Sequence, residues 1–159
     1  PNKYELPKPI FYKGGCNLSF AGLKTAVLKI SKNLKKDQDR YDLAASFQKT
    51  IEVILNKKTK IAFTEYEKIN KKELDKFVIA GGVAANKKIR EMLITICKER
   101  NILPIFPPKQ LCGDNAAMIA MVGLEKYKLK KFNNLDHQAI PRWQLDENAN
   151  FMKGAGVKL

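Results

Sequence analysis

Apolar residues recur at helical spacing through the first half of the chain. Residues 19–25 are predicted to open a helical stretch, whose apolar positions are Leu23, Val27, Ile30 and Leu34. A longer pattern starts near Asp37 or Asp39 and runs to about Ile69; its apolar stripe is Leu43, Phe47, Ile51, Ile54, Leu55 and Ile61. The other positions are rich in Lys, as is typical of a solvated helix face. This longer pattern predicts either two helices or one bent helix.

The second half alternates between strand and helix patterns. Short apolar runs at 77–80 and 102–106 predict two buried strands, the first ending in Gly81-Gly82 and the second in Pro107-Pro108. Between them, residues 83–100 predict a helix, and the small apolar residues of 116–123 predict a buried helix. This order indicates a helix-rich α/β fold with at least one parallel crossover. Two strands are few for a self-sufficient sheet, so we expect a short and incomplete one.

Proline and glycine positions suggest the domain organisation. Residues 1–17 contain three prolines and two glycines and are predicted to form an extended lead-in. Residues 18–145 form the main body. Residues 146–159 form a polar tail, and Pro141-Arg142-Trp143 is the apolar anchor of the polar segment that starts at Lys130.

Composition excludes several classes of protein. The 159 residues are 45% hydrophobic and 29% charged, which is typical of one globular domain. No apolar run approaches the length of a membrane span. The three cysteines are widely spaced and form no CxxC pair, and His137 is the only histidine. A disulfide framework, a cysteine zinc cluster and a two-histidine metal site are therefore not expected, and a cytoplasmic location fits best.

The chain is strongly basic, with 30 Lys and Arg residues against 16 Asp and Glu and a net charge of +14. Such an excess can hold a nucleic acid through release of counterions. However, 26 of the 30 basic residues are Lys, and Asn and Ile are also abundant. All three have AT-rich codons, so codon bias is an alternative source of the charge.

The turn after the first predicted strand is the first candidate site. Gly81 and Gly82 let the backbone approach a ligand closely, with a positive φ expected at Gly82. The N–H groups of the following helix suit a phosphate, and Asn86 is a candidate contact. Neither a dinucleotide fingerprint nor a P-loop is present. A plain turn into a helix, with Asn86 solvated, is the alternative.

Two further candidates are single charged residues. Asp114 stands where a helix should begin, so it is either an N-cap or one ligand of a divalent metal whose other ligands lie elsewhere. Lys24 is either an ordinary surface lysine or an anion contact. Cys112 is expected to pack as a small apolar residue.

Together these segments resemble the C-terminal half of the TsaD family, the tRNA adenosine threonylcarbamoyltransferases formerly called O-sialoglycoprotein endopeptidases. The matching segments are Leu18-Ser19-Phe20-Ala21-Gly22-Leu23-Lys24-Thr25, Ala80-Gly81-Gly82-Val83-Ala84-Ala85-Asn86-Lys87-Lys88-Ile89-Arg90, Leu111-Cys112-Gly113-Asp114-Asn115-Ala116-Ala117-Met118-Ile119-Ala120 and Pro141-Arg142-Trp143. Their order and separations strengthen the resemblance. Ala21 and Gly113 depart from the family's usual Ser and Thr.

The resemblance implies a two-lobed, actin-like ATPase (ASKHA) fold, of which this chain forms part of the C-terminal lobe. It implies that Asp114 binds a divalent metal, iron or zinc, and that Asn86, Gly81 and Gly82 bind threonylcarbamoyl-AMP or ATP. The implied reaction is an acyl transfer, moving the threonylcarbamoyl group to N6 of an adenosine in tRNA to form t6A.

The family's first half, with its HxxxH metal pair, is absent from this sequence. The resemblance therefore implies tRNA, the missing N-terminal half, and TsaB-like and TsaE-like proteins as partners, with a TsaC-type enzyme making the donor. Two alternatives stay open: a metal-dependent endopeptidase, as in the older family name, and a non-catalytic lobe that binds RNA or a partner.

Overall fold

The computed structural model describes residues 1–136 and 138–140. They form two compact units, one spanning Pro1–Gly113 and the other beginning at Asp114. The first unit contains α1 (Leu23–Ser31), α2 (Asp37–Asn70), β1 (Lys76–Val78), a 3-10 turn (Gly82–Ala85), α3 (Lys87–Glu99), β2 (Leu103–Ile105) and a second 3-10 turn (Lys109–Leu111). The second unit contains α4 (Ala116–Lys128). The helix-rich α/β prediction is confirmed.

The two strands form a parallel two-stranded sheet joined by α3. Phe77 pairs with Pro104 and Val78 with Ile105. Phe77 packs edge-to-face on Phe63 of α2, with ring centroids 4.9 Å apart. On the alternate positions, Val78 and Leu103 keep 64% and 56% of their surface exposed. One sheet face is therefore covered and the other is open, and the sheet is short, as expected.

Helix α2 is a single helix of 34 residues, which settles the choice left open by its pattern. Its buried row differs from the predicted stripe. Phe47 is exposed, whereas Ser46, Thr50 and Lys58 are buried. The hydroxyls of Ser46 and Thr50 donate to helix carbonyls four residues earlier, so their burial leaves no unsatisfied group.

The lead-in accounts for the burial of polar residues on α2 because it covers that side of the helix. Leu6 is buried, and the Tyr4 N–H donates to Ser46 Oγ at 3.2 Å. The Lys58 ammonium donates to the carbonyls of Lys13 and Gly15 at 2.9 and 3.0 Å. Residues 1–22 contain no helix or strand, yet they are fixed along the helix by these contacts.

Two hydrophobic clusters form the core of the first unit. The larger lies between α2, α3 and the sheet and contains Phe63, Ile79, Ala84, Ile89, Met92, Leu93, Ile96, Cys97, Ile102 and Cys112. The smaller joins the lead-in to α1 and α2 through Leu6, Leu23 and Leu43. Ile51 packs against both clusters. Helix α2 is therefore the shared support of the whole unit.

Two helices differ from their predicted form. Helix α1 begins at Leu23, because Gly22 adopts a left-handed φ of 74° that ends the preceding loop. Helix α4 was predicted to be buried, and this is wrong: none of its residues is buried, and Ile119 is 65% exposed. In the described part of the second unit no other helix or strand accompanies α4, so nothing there covers its apolar residues. None of the described helices is long and apolar enough to span a membrane.

Candidate functional site

The glycine turn connects β1 to α3 through a 3-10 turn, and α3 therefore starts four residues later than predicted. Gly81 has φ 89° and ψ 164°, a region that is essentially restricted to glycine. The positive φ thus lies at Gly81, and the expectation that it lies at Gly82 is wrong. The turn is held internally by hydrogen bonds from Ala84 N to Gly81 O and from Asn86 N to Val83 O, at 2.9 and 3.0 Å.

Backbone N–H groups of this turn are available to a ligand. Within the described structure, those of Gly82 and Val83 have no acceptor, and both residues are exposed. A Cβ built on Gly81 or Gly82 would meet no atom within 4 Å, so the space beside the backbone is open. Two neighbouring backbone donors without an acceptor suit an acceptor-rich group such as a phosphate.

Asn86 is the N-cap of α3, a role that the sequence analysis missed. Its side-chain oxygen accepts hydrogen bonds from the N–H groups of Lys88 and Ile89 at 3.0 and 3.2 Å. Its Nδ2 donates to Gln48 Oε1 of α2 at 3.3 Å. One Nδ2 hydrogen remains for a ligand. The N–H groups of Lys88 and Ile89 are thus already satisfied, whereas those of Gly82 and Val83 in the turn before the helix have no acceptor in the described structure.

The first turn of α3 is unusually basic. It contains Lys87 and Lys88 and no acidic residue, and Arg90 follows at its end. Acidic residues are the stabilising choice at a helix N-terminus, because the helix dipole is positive there. Lys88 pairs with Glu91 at 2.9 Å, and this hydrogen bond raises the pKa of Lys88. The exposed Lys87 has no ion pair among the described residues. The charge of this end favours an anion.

Asp114 lies two residues before the start of α4 and does not cap the helix. The N-cap is Asn115, whose side-chain oxygen accepts from the Met118 N–H at 3.0 Å. The Asp114 side chain is exposed. Nowhere in the described ranges do three His, Cys, Asp or Glu side chains come together as a metal site. Asp114 thus has a free carboxylate that can serve as one ligand, but the described residues do not complete a site around it.

Lys24 lies on α1 and lines an apolar groove of about 660 Å³ between α1 and α2. The groove is lined by Phe20, Leu23, Lys24, Val27, Ser31, Leu34, Arg40, Leu43, Ala44, Phe47 and Ile51. No residue of the glycine turn is among them. Gly81, Gly82 and Asn86 thus lie in one short connection between β1 and α3, and Lys24 lines a separate groove.

The cysteines are free thiols, and Cys112 packs in the core as expected. Burial raises the pKa of the Cys97 thiol. His137 and Pro141-Arg142-Trp143 lie outside the described residues.

Two helix caps of this region could have been predicted from the sequence. An Asn directly before an amphipathic run is an N-cap signal, and both Asn86 and Asn115 satisfy it. Arg90 contacts the turn from α3, and no local pattern indicates that contact, because it depends on how the helix packs.

Comparison with known proteins gives concordant matches. The sequence profile described as TsaD, tRNA N6-adenosine threonylcarbamoyltransferase, matches residues 1–121. The whole chain is 72% identical to a tRNA N6-adenosine threonylcarbamoyltransferase of Pelagibacter ubique. Proteins of the same name from Rickettsia massiliae and Rickettsia rickettsii are 49% and 48% identical over 94% of the chain. In each case the chain spans 44% of the relative's length.

Proposed function

The chain belongs to the TsaD family of tRNA N6-adenosine threonylcarbamoyltransferases, and on that premise we propose that it is the part of such an enzyme that binds the nucleotide of the acyl donor. The observation that supports this most strongly is the match over the full chain at 72% identity to a threonylcarbamoyltransferase. The proposed reaction is transfer of threonylcarbamoyl from threonylcarbamoyl-AMP to N6 of an adenosine in tRNA.

The glycine turn is the proposed contact for the phosphate of this donor. The N–H groups of Gly82 and Val83 belong to exposed residues and have no acceptor in the described structure. The cations of the first turn of α3 add a favourable field for a phosphate group. The remaining Nδ2 hydrogen of Asn86 is proposed to bind a polar atom of the nucleotide.

Asp114 is the proposed metal ligand of this chain. Its exposed carboxylate suits a divalent ion such as iron or zinc, and the cap of α4 does not depend on it. When bound, such a metal supplies a Lewis acid that polarises the carbonyl of the donor. Its other ligands would come from the part of the relatives that this chain does not span.

The transfer needs no covalent intermediate on the protein. The adenosine amine forms a bond to the carbamoyl carbonyl carbon and gives up one proton to water. The bond from this carbon to the phosphate oxygen breaks, and AMP leaves with the electron pair. The turn would stabilise the negative charge of the leaving phosphate through its N–H groups. The chain would therefore contribute to positioning and to leaving-group stabilisation.

The larger assembly is also proposed. The net charge of +14 supports contact with the tRNA backbone. TsaB-like and TsaE-like proteins and the remaining N-terminal part of the enzyme are the proposed partners, with a two-lobed, actin-like fold formed by the complete chain. We place this activity in the cytoplasm, where tRNA is modified.

The test uses a chimera in which this chain replaces the 159 matched residues of the Pelagibacter ubique relative. We expect the chimera, supplied with partner proteins, to transfer labelled threonylcarbamoyl to tRNA, and the 159-residue chain alone to be inactive. An inactive chimera beside an active parent enzyme would contradict the proposal. Robust transfer by the chain alone would contradict the assignment of the remaining metal ligands to another part of the protein.

Asp114→Ala in the chimera tests the metal assignment. We expect lower metal content and loss of most transfer, with the melting temperature retained because Asn115 is the cap. The control is Asn115→Ala, which should lower stability by about 0.5–2 kcal/mol. Full metal content in Asp114→Ala would remove Asp114 from the metal site.

A further inference from the structure

Arg90 connects the glycine turn to the segment that follows β2. Its Nε donates to the carbonyl of Ala84 at 2.6 Å. Its Nη2 donates to the carbonyl of Pro107 at 3.3 Å and to Cys112 Sγ at 3.4 Å. The guanidinium carbon lies 4.4 Å from the centre of the Phe106 ring. The Arg90 side chain thus contacts both the last part of the turn, at Ala84, and the segment after β2, at Phe106, Pro107 and Cys112.

The neighbours of Arg90 are themselves fixed. Cys112 and Ala84 are 3% exposed and belong to the larger core cluster, and Phe106 packs against that cluster. The turn, by contrast, begins at an exposed glycine whose conformation other residues rarely adopt. The bond to Ala84 therefore adds a polar link between α3 and the last part of the turn, on the side of the turn that faces the packed core.

Only arginine can make this set of contacts. The guanidinium is a planar fork whose separate N–H groups reach acceptors in different directions while its face stacks on an aromatic ring. A lysine ammonium at this place can reach the Ala84 or the Pro107 carbonyl, but it has no planar face to stack on Phe106 and one nitrogen to serve both sides.

We infer that Arg90 is a positioning residue that holds the Gly82–Ala85 turn in the conformation that presents the Gly82 and Val83 N–H groups to the phosphate of the donor. The inference rests on the proposed function. Because preorganised donors bind more tightly than donors that must be ordered on binding, loosening the turn should weaken nucleotide binding without touching the nucleotide.

The test compares Arg90→Lys with Arg100→Lys in the chimera described above. Arg100 is an exposed arginine directly after α3 that bonds Glu67 and Thr64, so it is a matched control. We expect Arg90→Lys to lose about tenfold in ATP affinity by calorimetry, the size of one or two net hydrogen bonds. Arg100→Lys should change this affinity less than twofold.

A second readout separates positioning from general damage. In steady-state transfer, Arg90→Lys should raise the KM for threonylcarbamoyl-AMP and leave the KM for tRNA unchanged. Unchanged nucleotide affinity, or an equal rise in both KM values, would overturn the inference. If Arg90→Lys does not fold, Arg90→Gln is judged by the same two criteria.

A third variant separates this inference from the proposed function. Gly81→Val changes the turn itself. If Gly81→Val loses ATP affinity and Arg90→Lys does not, the inference about Arg90 fails while the turn remains the nucleotide site. If neither variant changes the affinity, the turn is not the nucleotide site, and both statements fail.

Discussion

At the scale of single residues, the two adjacent glycines of the turn have different requirements. Gly81 has a φ of 89° and ψ of 164°, whereas Gly82 has an ordinary backbone conformation and open space where a side chain would be. From the sequence the two are indistinguishable, because a glycine pair shows that conformational freedom is needed somewhere but not at which position. The prediction of a phosphate contact depended only on the presence of the glycine pair, so it could be made from the sequence.

The glycines differ enough for a direct test of stability. Gly81→Ala should cost about 1–3 kcal/mol of folding free energy, because a Cβ strains this backbone region. Gly82→Ala should change stability by less than about 1 kcal/mol, since it meets no clash. Chemical denaturation of the two chimeras measures this. Equal costs for both variants would mean that the turn relaxes and that Gly81 is not specifically required.

Asn86 combines a structural and a proposed binding role, and two substitutions separate them. Asn86→Ala should lose about 1 kcal/mol of stability through the lost cap, together with several-fold nucleotide affinity. Asn86→Ser keeps a capping oxygen but removes the amide donors, so it should retain stability and still lose affinity. Melting curves and ATP calorimetry on both variants provide the measurement. Normal affinity in Asn86→Ser would limit Asn86 to capping.

At the scale of elements, the lead-in and α2 form one structural unit. Sequence periodicity predicted α2 and its extent, because that signal is local. The burial of Ser46, Thr50 and Lys58 was not predictable in the same way, since it depends on a segment about 40 positions earlier that has no periodic pattern. From sequence alone, a polar residue on a helix is predicted to be exposed to solvent, because the segment that buries it is not known.

The first contact of the lead-in is sensitive to acid. Lys3 bonds Asp39 and Asp42 at 2.7 and 2.8 Å, and these hydrogen bonds lower the pKa of both carboxyls and raise that of Lys3. The stabilisation is thus present above the ordinary aspartate pKa of about 3.9 and is lost as the pH falls through the lowered values. It is also lost when the pH rises through the raised pKa of Lys3.

We therefore expect Lys3→Met to melt slightly below the parent chimera at neutral pH, by a small margin because the pair is exposed. The difference should shrink as the pH falls below the ordinary aspartate pKa and vanish below the lowered pKa values of Asp39 and Asp42. Thermal melts across the acidic range, with Lys68→Met as the control for an exposed helical pair, provide the measurement. A difference that is constant with pH would show that Lys3 stabilises through packing and not through its charge.

At the scale of the whole molecule, the order of strands and helices was enough to predict the parallel crossover. The sheet is short, with two strands, as the two apolar runs predicted. The exposure of α4 was not predictable, because an apolar segment such as residues 116–123 is predicted to be buried when its surroundings are unknown. An apolar sequence pattern indicates that a surface needs to be buried. It does not indicate which part of a protein buries that surface.

The continuity of α2 has a consequence for how the gene can change length. The helix rotates by about 100° per residue, and its contacts lie at both ends: Gln48 with Asn86 on one side, and Thr64 with Arg100 on the other. One residue inserted between Gln48 and Thr64 would rotate one of these side chains away from its partner. In a scan of one-codon insertions, we expect survivors in the connections at 32–36 and 71–75 and almost none across 49–63. Frequent survivors inside the helix would mean that its two ends evolve independently.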